Sequence, residues 1–267
     1  MLGSEGAGPV IEVGECVEFA AEGDKVAFWS TGCGAHAKRV CVRADRTVSM
    51  PIGMSPEVAT ALLVQGLTAH YLATSTFPIA SDHVAVVHAA AGGVGLLLTQ
   101  IVKIRGGVVL GTASSPEKRS EIIRNGADRA ANYEEFVESV KTLTDGVGAN
   151  VVHDGVGAAT FDASLTALQP RGLMVLYGST SGPVAPFDLL RLYSSGSLFV
   201  THPTLTHYIA TRTELLRRWQ DLLDWVESGD VKVQIGGTYQ VPDAPEAHRA
   251  LESSSTVGKL VLLPNGN

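Results

Sequence analysis

The spacing of apolar residues changes character along this chain. Over the first fifty residues it is strand-like. Val10-Ile11-Glu12-Val13-Gly14 and Lys25-Val26-Ala27-Phe28 are short apolar runs bounded by glycine, and Arg39-Val40-Cys41-Val42-Arg43 alternates as a half-buried strand does. Gly23-Asp24 reads as the turn entering the second run. At Ser55-Pro56-Glu57 the period lengthens. Serine is a good N-cap and proline suits a first helical turn, and Val58, Leu62, Leu63, Leu67, Tyr71 and Leu72 follow at helical spacing.

From Asp82 onward strand and helix patterns alternate. The pattern predicts strands over 84–88, 108–112, 129–133, 151–154, 173–177 and 198–200. Helical faces lie between them, through Leu98, Ile101 and Val102, after Ser115-Pro116-Glu117, through Phe136, Val140 and Leu143, and through Phe161, Leu165 and Leu168. Strands separated mostly by helices imply an α/β fold with a doubly wound parallel sheet. After Pro203 one long helical pattern runs through Leu215, Leu216, Trp219, Leu222, Leu223 and Val226 to Gly229, and its apolar stripe reads as core. A strand over 231–235, a helix over 245–251 and a strand over 260–263 complete the pattern.

Length and composition narrow the classes. The 267 residues suffice for one large domain or two smaller ones, and 45% hydrophobic with 18% charged residues is a globular composition. A net charge of -7 gives no global attraction for nucleic acid or an anionic membrane, which leaves only a local basic groove as a route to either. Cys16, Cys33 and Cys41 form neither an even framework nor a C-x-x-C pair, so free thiols in a reducing cytoplasm are expected. No run approaches the ~18 apolar residues that span a bilayer, and the first residues lack the basic and apolar regions of a secretory signal.

The candidate chemistry begins at Ala89-Ala90-Ala91-Gly92-Gly93-Val94-Gly95, between a strand and a helix. This is a dinucleotide fingerprint with Ala90 in place of its first glycine. Gly92 lets the backbone approach a pyrophosphate, Gly95 lets the helix pack on the sheet, and the helix N-terminus with Gly93 and Val94 presents N–H groups to the phosphates. A glycine-rich turn alone is weak evidence; the strand before it and the helix after it are what the motif requires.

An NAD-specific domain places a carboxylate about 20 residues further on. Here that place holds Thr112-Ala113-Ser114-Ser115, followed by Lys118 and Arg119. Ser114 can donate to a 2'-phosphate and Lys118 can neutralise it, so NADPH is expected. Tyr133, ending the third strand, would border the same phosphate or simply pack. Gly155 and Gly157 follow the fourth strand and Gly178-Ser179-Thr180 the fifth, at carboxyl ends where ligands of such sheets lie.

Taken with Glu5-Gly6-Ala7-Gly8, Gly23-Asp24-Lys25-Val26, Gln65-Gly66-Leu67-Thr68-Ala69, Asn132-Tyr133, Gly196-Ser197-Leu198-Phe199 and Gly258-Lys259-Leu260, these segments resemble the zeta-crystallin-type quinone oxidoreductases of the medium-chain dehydrogenase/reductase superfamily. The resemblance covers nearly the whole chain. It implies a Rossmann domain over 62–202, and a GroES-like β-rich catalytic domain built from 1–61 and 203–267. It also implies a homodimer, and hydride transfer from NADPH to a quinone or related conjugated carbonyl. Thr68, Tyr71, Tyr177, Gly178, Ser179, Phe199, Val200 and Thr201 would lie near the nicotinamide. Ser114, Lys118 and Tyr133 would hold the 2'-phosphate end.

Zinc is not expected. Zinc-dependent relatives carry a histidine where this chain has Ser4 before Glu5, and a four-cysteine lobe that three scattered cysteines cannot make. Family members have about 55 further residues before the counterpart of Gly3-Ser4-Glu5, on the scale of two or three strands, so the catalytic domain is expected to be incomplete. His202 and Ser254 stand where relatives place arginines, and losing a charged phosphate contact costs about 1.5–3 kcal/mol. A catalytically silent NADPH-binding protein is therefore the competing expectation. An enone or enoyl reductase is a substrate variant, and RNA binding, shown by some relatives, is disfavoured by the charge.

Overall fold

The structure is a computed structural model that describes residues 2–30 and 34–264. Cys33 lies outside the described residues. The elements in chain order are β1 (Glu5–Pro9), β2 (Lys25–Trp29), β3 (Thr47–Ser49), α1 (Pro56–Tyr71), β4 (Val84–Val87), α2 (Gly93–Ile104), β5 (Val108–Thr112), α3 (Pro116–Arg124), β6 (Arg129–Ala131), α4 (Phe136–Leu143), β7 (Ala149–Asp154) and α5 (Phe161–Ala167). They continue with β8 (Leu168–Leu176), α6 (Leu190–Ser194), β9 (Phe199–Thr201), α7 (Leu205–Tyr208), α8 (Arg212–Glu227), β10 (Ile235–Gln240), α9 (Ala244–Glu252) and β11 (Lys259–Leu263). Two compact units result, Met1–Leu67 with Ile209–Asn267, and Thr68–Tyr208. Each division falls six residues beyond the one read from the sequence.

In the first unit β1, β2 and β3 form an antiparallel sheet, and β10 pairs in parallel with β11. The first strand precedes the apolar run over 10–14. Its alternate residues are Gly6 and Gly8, and a Cβ on Gly6 would stand 2.9 Å from Cζ of Phe28. Apolar periodicity does not register a strand that must carry glycine. Only the first residue of the run over 10–14 stays with the ladder: Val10 N donates to Asp24 O in the β1–β2 register and Gly23 N to Val10 O, each at 2.8 Å, and residues 11–14 form no strand. Residues 39–43 keep their alternation but join no strand among the described residues.

Helix α1 starts as the sequence predicts, with Val58 N donating to Ser55 Oγ at 3.3 Å. It packs on α8 at Gly66, where a Cβ would come within 2.9 Å of Leu62 and 3.0 Å of Leu222. Trp219 is buried and donates from Nε1 to Ser49 O at 3.0 Å, so with Leu215 and Leu222 it makes the α8 stripe core, whereas Leu216 of that stripe is exposed. The long pattern after Pro203 is broken because Thr211 and Glu214 build a capping box that starts a new helix. The strand expected over 231–235 begins only at Ile235. Val231 N instead donates to Trp225 O at 2.9 Å, closing the preceding helix.

The second unit is a six-stranded sheet in the order β6-β5-β4-β7-β8-β9, parallel throughout. Counted from β4, this is the 3-2-1-4-5-6 order of a doubly wound Rossmann sheet. One face is filled by Val86, Leu110, Val152 and Met174 against Phe136, Val140, Phe161 and Leu165. Helix α3 is capped by Ser115 Oγ, which accepts from Lys118 N at 3.3 Å. Strands are added outward in one direction from β4 and in the other from β7, so the order reverses between these two and the crevice for a ligand opens at their carboxyl ends.

Candidate functional site

His88 carries β4 into the glycine turn. Ala89 adopts φ 50, a left-handed conformation that costs a non-glycine residue about 1–2 kcal/mol. Its carbonyl accepts from Gly92 N at 2.9 Å, and Gly92 is the N-cap of α2. By helix geometry the first N–H groups of α2, from Gly93, Val94 and Gly95, have no carbonyl partner within the helix. That end carries the positive pole of the helix dipole and suits a phosphate.

Packing explains the fingerprint. A Cβ on Gly95 would sit 2.5 Å from Cα of Ala90 and 2.6 Å from Ala89 O, so nothing larger fits. A Cβ on Gly92 would meet only Ala89 O, at 3.2 Å. Ala90 itself is accommodated by the neighbouring strand, because a Cβ on Gly111 would lie 2.9 Å from its methyl. The glycine absent from the turn is thus compensated on β5.

Beyond β5, Ser114 is exposed and Lys118 half-buried at the start of α3. Burial lowers the Lys118 ammonium below its ordinary value. Arg119 turns back onto its own loop, with Nη1 donating to Ala113 O at 3.2 Å and Ser114 O at 3.1 Å. Tyr133 leans over the phosphate turn. Its ring lies 5.9 Å from His88, and burial raises its phenol against the opposing effect of hydrogen bonds with Thr112 and the Ala89 backbone.

Gly155, Tyr177 and Gly178 meet at the ends of β7 and β8. A Cβ on Gly155 would lie 3.0 Å from the Tyr177 hydroxyl, and one on Gly178 would lie 2.8 Å from Gly155 O. Ser179 is exposed, and its carbonyl accepts from Gly182 N at 2.9 Å. Burial, and then Asp154, Tyr133 and Tyr71, push the Tyr177 phenol up. Tyr71 is buried and stacks on Tyr208 at 4.2 Å; burial, and then repulsion from an ionised Tyr208, raise its phenol as well. Thr68 is half-buried in the last turn of α1. Of the β9 residues, Thr201 pairs with Val175 at the carboxyl end, next to Val200, whereas Phe199 opens the strand and is 60% exposed.

Beneath the crevice lies a polar network that sequence reasoning missed. His88, Thr112, Asp154, Thr160 and Ser164 are all buried. His88 Nδ1 meets Thr112 Oγ1 at 2.8 Å and Nε2 meets Ser164 Oγ at 2.9 Å. Thr160 Oγ1 donates to Asp154 Oδ2 at 2.7 Å, while Asp154 Oδ1 accepts from Val156 N at 2.6 Å and Gly157 N at 3.0 Å. Burial lowers the His88 imidazole to about 4, with Asp154 opposing. The available signal was a polar residue closing an apolar strand, as in Val-Val-His88 and Leu-Gly-Thr112.

A doubly wound sheet with a phosphate-binding turn at its switch point defines a dinucleotide-binding protein of the Rossmann class. The family described as zinc-binding dehydrogenase matches residues 93–228. The quinone oxidoreductase of Salmonella typhimurium is 41% identical over 98% of this chain and 82% of its own length. The crystal structure of Escherichia coli quinone oxidoreductase complexed with NADPH is 40% identical, with a TM-score of 0.95 over 98% of this chain and 82% of that one. The 2-haloacrylate reductase of Burkholderia sp is 32% identical over 99% of this chain and 81% of its own. The chain belongs to the zeta-crystallin-type quinone oxidoreductases of the medium-chain dehydrogenase/reductase superfamily.

Proposed function

We propose that this chain is a zinc-independent NADPH:quinone reductase. The observation that carries the reading is the phosphate turn at α2 beside a β5 loop that offers Ser114 and Lys118 where an NAD site has a carboxylate. Gly92 to Gly95 hold the pyrophosphate. Ser114, Lys118 and Tyr133 hold the 2'-phosphate end. Thr68, Tyr71, Gly155, Tyr177, Gly178, Ser179, Val200 and Thr201 border the nicotinamide, while Phe199 stands at the other end of β9. NADPH, when bound, supplies a hydride. The residues around it orient the ring and keep water out, and solvent protonates the reduced quinone. The unit Thr68–Tyr208 is the cofactor domain, and the other unit is the catalytic domain.

A metal-free reaction accords with Ser4 preceding Glu5 and with Glu5 being held in an ion pair by Lys259. Among the described residues no group of three or more His, Cys, Asp or Glu is arranged for a metal ion. A cytoplasmic homodimer completes the reading. No helix of the described residues is long and apolar enough to cross a membrane. The edge strand β9 with exposed Phe199, and the exposed Leu189, Leu190 and Tyr193 of the α6 segment, offer apolar surface suited to a second copy.

The similarity to 2-haloacrylate reductase favours a second substrate class, the activated alkene. The test is NADPH oxidation by purified protein with a panel of ortho- and para-quinones and a 2-haloacrylate. Quinone-dependent turnover above the uncatalysed rate is expected. Turnover with the alkene alone moves the chain to the second reading, and none with either leaves a silent NADPH-binding protein.

A further inference from the structure

His88 joins three elements. Its backbone continues β4 into the phosphate turn, its Nδ1 meets Thr112 at the end of β5, and its Nε2 meets Ser164 within α5. Hydrogen counting fixes the direction of these bonds. Ser164 Oγ donates its single hydrogen to Thr160 O at 2.8 Å, a carbonyl that can only accept. Ser164 must therefore accept from His88 Nε2–H. A neutral imidazole then offers Nδ1 as acceptor, and Thr112 Oγ1–H donates to it. The ring sits edge-on to Phe136 at 4.8 Å, so packing also holds its plane.

The chain of bonds ends in opposite halves of the proposed cofactor site. Thr112 lies two residues before Ser114, and its carbonyl accepts from Ala90 N in the phosphate turn at 3.0 Å. Ser164 leads through Thr160 to Asp154, which holds the N–H groups of Val156 and Gly157. A purely apolar core needs no such series, and a buried polar network costs stability wherever it is incompletely paired.

We propose that His88 is a positioning residue, its oriented hydrogen bonds coupling the 2'-phosphate side of the dinucleotide site to the loop Gly155–Val156–Gly157 on the nicotinamide side. The inference rests on the NADPH reading. It implies that occupation of the adenosine half alone rearranges the far loop.

Adenosine 2',5'-bisphosphate tests this, because it fills only the adenosine half. Amide spectra of the full chain should shift at Val156 and Gly157 on its addition, as well as at Ser114 and Lys118. In Ser164→Ala the shifts at Ser114 and Lys118 should persist while those at Val156 and Gly157 are lost. His88→Leu, which also removes the Thr112 bond, should behave in the same way. Nitrogen spectra of the histidine rings should place the His88 proton on Nε2 without any ligand. Binding with no shift at Val156 and Gly157, shifts that survive both substitutions, or a proton on Nδ1 would overturn the proposal alone. Failure of the bisphosphate to bind would overturn the NADPH reading beneath it.

Discussion

Gly95 and Ala90 approach so closely that a methyl group on Gly95 would stand 2.5 Å from the Cα of Ala90. The obstacle is backbone, which cannot swing aside as a side chain can. Gly95→Ala must therefore displace either α2 or the phosphate turn, at an overpacking cost of about 1–3 kcal/mol. Thermal unfolding should register the lower stability, and cofactor titration should show weakened NADPH binding because the helix N-terminus moves. Unchanged binding and melting would mean that the turn tolerates the displacement.

Lys118 sits half-buried at the start of α3, next to exposed Ser114. Lys118→Ala should weaken NADPH by about 1.5–3 kcal/mol, roughly 10- to 150-fold, as expected for a charge-assisted contact. NADH, which has no 2'-phosphate, should bind as before. Parallel fluorescence titrations of the two nucleotides separate the outcomes, and an equal loss for both would assign Lys118 a structural role.

His153 is wholly buried in β7 and neither ring nitrogen has a hydrogen-bond partner. An unpaired buried polar group costs about 1–3 kcal/mol. His153→Leu, close in volume, should therefore stabilise the protein at neutral pH by about that amount. Denaturant unfolding at pH 7.5 measures it. A loss of stability would imply that the ring is paired in solution, for example through a buried water.

Acid should destabilise the fold in a defined window. Burial lowers His88 to about 4 and His153 to about 3, from an ordinary 6.5. Both rings are neutral in the folded chain and take up protons more readily when unfolded. Their penalty is absent above pH 6.5 and grows as pH falls from there toward the folded values. His88 alone should contribute about 3 kcal/mol by pH 4. Unfolding free energies at pH 7.5, 6 and 5 should fall progressively, and His153→Leu should flatten that fall.

Much of the second unit was legible because its strands are apolar runs closed by turns. The glycine turn, Ser115 as a cap and the parallel, doubly wound sheet follow from local rules applied to 82–201. The first unit was harder to read. β1 hides behind Gly6 and Gly8, residues 39–43 alternate without forming a strand, and the capping box at Thr211 interrupts an otherwise continuous helical stripe. The network through His88 was invisible for a different reason. Thr112, Asp154, Thr160 and Ser164 come together only once three strands and a helix are placed, and no spacing in the sequence records that meeting.

The site between β4, β5 and β7 is expected to take NADPH in preference to NADH. Titrating the full chain with each nucleotide, and following the quenching of Trp29, Trp219 and Trp225 together with reduced-nicotinamide fluorescence, tests it most directly. Saturable NADPH binding at least tenfold tighter than NADH, about 1.4 kcal/mol, is expected. Equal affinities would contradict the role given to Ser114 and Lys118, and no binding of either would contradict the phosphate turn itself.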